Sequence, residues 1–286
     1  MNRCTPFDAV ATPPLHEAGQ GRRYALPYAL RNRRAALVVA HPGHELRVHG
    51  WMELAHPTVC ILTDGSGHTG QSRLATTTNL LAQSGARPGS TYGRFKDVEV
   101  YAAILDNNAE FFTRLSQELC EALVRDSVEY VVGDAIEGYN PIHDLCRCVI
   151  NAAVRLANYL KPTQIANFDF LVLGSPDSRS NEPGPQEFCL CLDELALERK
   201  LTAAKLYLEL RNDVSKFTSE AGVAALRLEV LRRIDNEVRA DALIQERPFY
   251  ERYGEKQVEQ GYYRRVIRYH EHIFPLAEAL ENYARI

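Results

Sequence analysis

The stretch Ala35-Ala36-Leu37-Val38-Val39-Ala40-His41-Pro42-Gly43-His44-Glu45 decides how this chain is read. Its first six residues are all apolar and lack the polar alternation of a half-exposed strand. Such a run suits a strand buried on both faces of a parallel sheet. Pro42 and Gly43 punctuate a turn out of that strand, and a helix is expected over 44–55. Two imidazoles, His41 and His44, stand three residues apart at this turn. Neutral imidazole suits Zn2+ and related divalent ions, so both are candidate metal ligands. The first N–H groups of the following helix would also attract an anionic or carbonyl-bearing ligand.

The pattern repeats outward from there. Residues 58–62 (Thr-Val-Cys-Ile-Leu) read as a second strand, 64–70 as a Gly-rich loop and 72–85 as a helix. A short strand is predicted over 98–101 and an amphipathic helix over 108–125, with Phe111, Leu115, Leu119, Ala122 and Leu123 on one face. Another buried strand is predicted over 130–133, then a helix over 144–159 and a strand over 168–173. Strands and helices alternating at this spacing predict an α/β fold, a doubly wound, mostly parallel, Rossmann-like sheet. Ligands of such sheets sit beyond the carboxyl ends of the strands, where His41, Asp64 and Asp134 all fall.

After a Ser/Pro/Gly-rich loop at 174–186 the character changes. Helices are predicted over 195–216, 220–239 and 262–283, the last interrupted by Pro275. The expected organisation is an extended leader at 1–34, an α/β metal-site domain at 35–190 and a helical C-terminal extension at 191–286 packed on it. The aromatic and charged segment from Phe249 to Arg268 reads as a packed helical rim, a surface for a homo-oligomer, or a stacking surface for a sugar. His270 and His272 are alternate residues on an expected helix and face different ways, which argues against a shared metal.

Composition narrows the function classes. The chain has 286 residues, 45% hydrophobic and 24% charged, with a formal net charge of -4. That charge offers no nucleic-acid footprint. The seven cysteines include two C-x-C pairs, Cys146/Cys148 and Cys189/Cys191, whose spacing suits reduced thiols better than a zinc site. No run approaches the ~20 apolar residues of a membrane span, and 1–34 has no apolar core of a secretory signal. A cytoplasmic protein is expected.

A second motif, Tyr139-Asn140-Pro141-Ile142-His143-Asp144, also follows a buried strand and precedes a helix. His143 can supply a third ligand from the same sheet edge, with Asp144 behind it. Three protein ligands and one open position are the pattern of a catalytic zinc site. Taken in order, the two motifs resemble the PIG-L/LmbE family of zinc-dependent N-deacetylases, which carry A-H-P-D-D-E after their first strand and a later H-x-D-H before a helix. The resemblance covers residues 35–160, with a weaker echo in the lysine-bearing stretch 198–205.

The resemblance implies that His41, His44 and His143 hold the metal and that Arg73, after Leu62-Thr63-Asp64-Gly65, contacts substrate. The implied reaction is hydrolysis of a linear amide C–N bond, removing an acetyl group from an amino sugar or glycoconjugate. The departures matter as much. His44 stands where the family has its metal aspartate, Gly43 where it has its general base, and Asn140 and Ile142 where it has a histidine and an aspartate. Thr76 stands where a glutamate is common. A three-histidine set carries one negative charge fewer, which leaves the ion more electrophilic.

With those acid/base positions lost, Asp64, Glu45 and Asp144 are the candidate catalytic groups, Asp64 foremost because it ends a strand. Glu45 has a structural alternative in its helix's first turn. Arg73, Tyr139, Asn140 and His68 are the candidate substrate contacts. Tyr139 either polarises a carbonyl or packs beneath the loop, and His68 either reaches the site or stays a solvated loop residue. The competing reading is a relative without hydrolytic activity that acts as a metal- or sugar-binding scaffold or regulatory partner.

Overall fold

The apolar run at 35–39 forms β1 (Ala35–Val39), with all five residues buried. A computed structural model describes residues 24–67, 70–173, 176, 187–207, 222, 225–234 and 246–285. Among these, β2 (Thr58–Thr63), β4 (Tyr130–Asp134) and β5 (Ala166–Phe170) are also wholly buried, whereas β3 (Arg87–Phe95) is a largely exposed edge. The sheet order is β3-β2-β1-β4-β5-β7-β6. The first five strands are parallel, and β7 (Leu228–Arg233) and β6 (Glu187–Cys191) are added antiparallel.

The strand period of two sorts the side chains into two cores. Ala36, Val38, Ala40, Cys60, Leu62 and Val131 pack toward α4 (Ala109–Arg125), α5 (Pro141–Leu160) and α8 (Phe274–Tyr283). Leu37, Val39, Ile61, Tyr130, Val132 and Phe168 pack toward α1 (His49–Ala55) and α6 (Glu194–Leu206). Helices therefore cover both faces, which is why the central strands need no polar side.

The order places β1 between β2 and β4, so the chain's winding reverses at the β1/β4 boundary. A crevice opens there beyond the carboxyl ends of the strands. One glycine is required beside it. A Cβ on Gly133 would stand 2.5 Å from the Val38 carbonyl oxygen and 2.9 Å from the Arg147 guanidinium. That guanidinium, fully buried, donates to the Asp134 carbonyl and to Asn167 Oδ1 at 3.0 Å, and so pins the end of β4.

Several local expectations are overturned. Residues 98–101 belong to helix α3 (Asp97–Leu105), not a strand; Glu99 accepts the Lys96 N–H at 2.7 Å and starts the helix. The helix expected over 44–55 splits into a 3-10 turn (His44–Val48) and α1. Part of the helix expected over 220–239 is β7, because the open edge of β5 offers backbone partners that override local propensity. The C-terminal region is thus not purely helical. Phe249–Glu259 is helix α7, followed by a π-helical turn (Tyr269–Ile273), and Pro275 sits in the first turn of α8 instead of interrupting a longer helix. The leader through residue 23 and the loop glycines of 174–186 lie outside the described residues. No helix among the described residues is long and apolar enough to cross a membrane.

Candidate metal centre

Three imidazoles meet at the β1/β4 crevice. His41 leaves the end of β1, His44 opens the 3-10 turn, and His143 sits in the first turn of α5. Their ring centroids are 5.4 Å (His41–His44), 5.0 Å (His41–His143) and 4.4 Å (His44–His143) apart. Three imidazoles bound ~2.0–2.1 Å from one tetrahedral ion have centroids roughly 5 Å apart. Two local devices hold the backbone in place. Gly43 adopts φ 109, a left-handed conformation that turns the chain sharply out of β1. Asn140 caps α5, its Oδ1 accepting the Ile142 N–H at 2.8 Å, and Pro141 follows in the first turn.

Two of the rings have carboxylate partners on Nδ1. His41 Nδ1 lies 2.7 Å from Thr63 Oγ1 and 3.1 Å from Asp97 Oδ1. His44 Nδ1 lies 2.9 Å from Asp134 Oδ2, which also accepts the Ala40 N–H at 2.8 Å. A neutral imidazole that donates from Nδ1 presents a lone pair at Nε2, the arrangement that orients metal-binding histidines. His41 Nε2 and His143 Nδ1 are buried and have no hydrogen-bond partner, a costly state that a bound cation would relieve.

The donor set therefore fits a divalent ion in its ring positions. Among the described residues no three His, Cys, Asp or Glu side chains already meet at coordination geometry.

Burial, ahead of neighbouring charge, favours the neutral form of His41 and His143. Burial lowers the His41 pKa against the hydrogen bond to Asp97, and the neighbouring His44 and Arg73 charges lower it further. Burial takes His143 well below its ordinary value, again with His44, His41 and Arg73 acting the same way. Burial alone would raise the Asp97 carboxyl, but hydrogen bonds from His41, Thr63 and the Gly67 N–H hold it well below the usual carboxylate range. Arg73 reaches the cluster from the loop after β2, its Nε tied to the Gly65 carbonyl at 2.7 Å.

The other expected site residues are distributed as follows. Asp64 adjoins Thr63 and accepts the Ser66 N–H at 2.9 Å. Glu45 is fully buried and accepts the Gly43 N–H at 2.7 Å and the Tyr207 hydroxyl; burial raises its pKa. Asp144 Oδ1 accepts the N–H groups of Glu137 and Gly138 at 3.1 and 3.2 Å, which shapes the loop before α5. Tyr139 stacks on Phe249, Asn140 Nδ2 donates to the Tyr101 hydroxyl at 3.2 Å, and His68 lies outside the described residues. The sequence reading did not foresee Asp97 or the role of Asp134. Asp134 is marked by its strand end, but Asp97 only precedes the strand predicted over 98–101 and carries no local signal of a site.

The sequence matches no family model and no curated protein. Among solved structures, the chain is similar to the zinc-inhibited form of teicoplanin deacetylase Orf2, at 13% identity over 70% of this chain and 99% of that one, with a TM-score of 0.46. A deacetylase complex from the teicoplanin biosynthesis pathway is similar at 13% identity, 70% and 99% coverage and a TM-score of 0.45. A conserved protein from Thermus thermophilus is similar at 17% identity, 72% and 96% coverage and a TM-score of 0.43.

Proposed function

We propose that the chain is a metal-dependent hydrolase that removes an N-acyl group, in the first instance acetyl, from an amino sugar or glycoconjugate. One observation carries this reading: three imidazoles from two distant turns gather at the switch point of the sheet, two of them with carboxylates on Nδ1. Apolar packing gives no reason to bury such a cluster, whose unpaired nitrogens cost free energy unless occupied. The motif resemblance supplies the substrate class.

His41, His44 and His143 would hold the ion, Zn2+ or another divalent metal, as neutral donors. When bound, it supplies Lewis acidity toward the amide carbonyl. The chain's own residues do the rest. Asp97 and Thr63 fix the His41 ring, and Asp134 fixes His44. The Arg73 charge, already felt by His41 and His143, favours negative charge building on the carbonyl oxygen. Asp64, one residue from Thr63, is the proposed proton carrier to the departing amine. Glu45 and Asp144, held by backbone N–H groups, are assigned to shaping the turns.

Two observations favour a non-hydrolytic metal-binding relative. Gly43 has no side chain where the related motif has a base, and Asp97 and Asp134 are each engaged by an imidazole. The deciding experiment has two parts. Elemental analysis should find about one equivalent of divalent metal, lost in His143→Ala. Amine release from N-acetylated sugars should then be lost on chelation. Absence of metal sinks both readings; metal without amine release on any substrate leaves only the second.

A further inference from the structure

Glu45 closes the motif that opens the candidate metal centre, and its carboxylate is held by a residue far outside that motif. Glu45, Thr77 and Tyr207 are all fully buried. Thr77 belongs to helix α2 (Leu74–Gln83), four residues after Arg73, and Tyr207 directly follows α6. Tyr207 lies beyond residues 35–160, where the motif resemblance runs.

The three side chains form one line of hydrogen bonds. Thr77 Oγ1 lies 2.6 Å from the Tyr207 hydroxyl, and that hydroxyl donates to Glu45 Oε1. A phenol has a single hydrogen to give. With it given to the carboxylate, the Tyr207 oxygen accepts from Thr77, so both hydroxyls point toward Glu45. Donors aligned in this way strengthen one another in a buried setting. At one end of the line Glu45 Oε2 accepts the Gly43 N–H at 2.7 Å. At the other the Thr77 N–H donates to the Arg73 carbonyl at 3.3 Å. The line therefore joins the backbone of Arg73 to the turn between His41 and His44.

That turn needs an outside hold. A 3-10 turn has poorer hydrogen-bond geometry than an α-helix. Here its backbone bonds are long, 3.4 Å from the His44 N–H to the His41 carbonyl and 3.2 Å from the Leu46 N–H to the Gly43 carbonyl. The Glu45 tie to Gly43 is shorter than either. The α6 helix fastens the same turn a second time, Lys200 Nζ donating to the Arg47 carbonyl at 3.1 Å. Removing the Tyr207 hydroxyl would strand Glu45 Oε1 in the core, a costly state, and a carboxylate that moves to escape it takes Gly43 and His44 along.

We propose that Tyr207 is a positioning residue of the metal centre: its hydroxyl, aligned by Thr77, fixes Glu45 and through it the turn that aims His44. That the aimed ring binds an ion rests on the metal-dependent reading; that the hydroxyl holds the turn does not. Two measurements on the full chain test it. The first is amide exchange at Gly43, followed by NMR in chelator. Tyr207→Phe and Thr77→Val should each speed it by roughly tenfold, the effect of losing one hydrogen bond to a charged group. Thr77→Ser keeps the hydroxyl and should leave exchange unchanged. So should Tyr130→Phe, an equally buried phenol whose ring meets Trp51 and Phe168 instead.

The second measurement is titration with cobalt(II). Tyr207→Phe should bind the ion roughly tenfold more weakly and show displaced d–d absorption bands, with native circular dichroism, while Tyr130→Phe matches the wild type in both. Unchanged Gly43 exchange in Tyr207→Phe, or equal acceleration in Tyr130→Phe or Thr77→Ser, overturns the proposal. So do wild-type affinity and bands in Tyr207→Phe. A wild type that takes up no cobalt sinks the metal-dependent reading, and Gly43 exchange then decides alone whether Tyr207 holds the turn.

Discussion

Asp97 shows how a single carboxylate can set the direction of a ring. It faces His41 Nδ1 at 3.1 Å and is itself buried. Asp97→Asn keeps the size and loses the charge, and carboxylates behind metal ligands change affinity by about 10–100-fold. The variant should fold normally and lose Zn2+ affinity by about that factor in chelator competition, with Thr63 still touching the ring. Unchanged affinity would remove His41 from the ligand set. Gly133→Ala is a second residue-scale expectation. Its Cβ would press on the Val38 carbonyl, Ile150 and Arg147, and overpacking of this kind costs about 1–3 kcal/mol, measurable by urea unfolding. His41, His44 and His143 were legible in the sequence because each sits at a strand-to-helix turn. Their carboxylate partners were not: His44 and Asp134 are 90 residues apart, and nothing local pairs them.

At the scale of elements, β7 ties the C-terminal region to the start of α1. Glu229 accepts the N–H groups of Gly50 and Trp51 at 2.9 and 2.7 Å and pairs with Lys200 Nζ at 2.7 Å, with side-chain exposures of 0% and 4%. Burial lowers the Lys200 pKa, and Glu229 opposes that shift. Glu229→Ala leaves a buried cation and two unpaired N–H groups, and breaking such a pair costs about 3–5 kcal/mol. Lys200→Met/Glu229→Leu should recover the part of that loss due to the stranded cation, because an apolar pair has no charge to desolvate, but not the part due to the Gly50 and Trp51 N–H groups. Equal stability of the Glu229→Ala protein and the wild type would deny the tie any role. The lysine-bearing helix was legible in the sequence, but its partner strand was read as a helix. Leucines spaced along a segment do not reveal that the sheet has an open edge waiting for it.

Across the whole molecule, phenols buried in separate parts of the fold share one direction of shift. Burial raises Tyr24, Tyr130, Tyr207 and Tyr250 above the ordinary 10.0, and pushes Tyr101 up to about 12. An unfolded chain releases these protons near pH 10 while the folded one keeps them. The unfolded state then binds fewer protons, so stability falls as pH rises from about 10 through the folded values. Unfolding by denaturant at pH 8 to 11 should show this decline, with phenolate absorbance rising together with unfolding; phenolate forming in the intact fold would refute it. The sequence alone determined the α/β class, the burial of β1 and β4, and the placing of His41 just beyond a strand end and of His143 at the turn into a helix, because hydrophobic period and turn chemistry are local properties. Only the tertiary structure decided that β4 lies beside β1, that the two turns therefore converge, that Asp97 and Asp134 back the rings, and that the aromatic helix α7 docks on the His143 loop. Those outcomes depend on which faces bury each other after long-range closure, and no window of neighbouring residues encodes them.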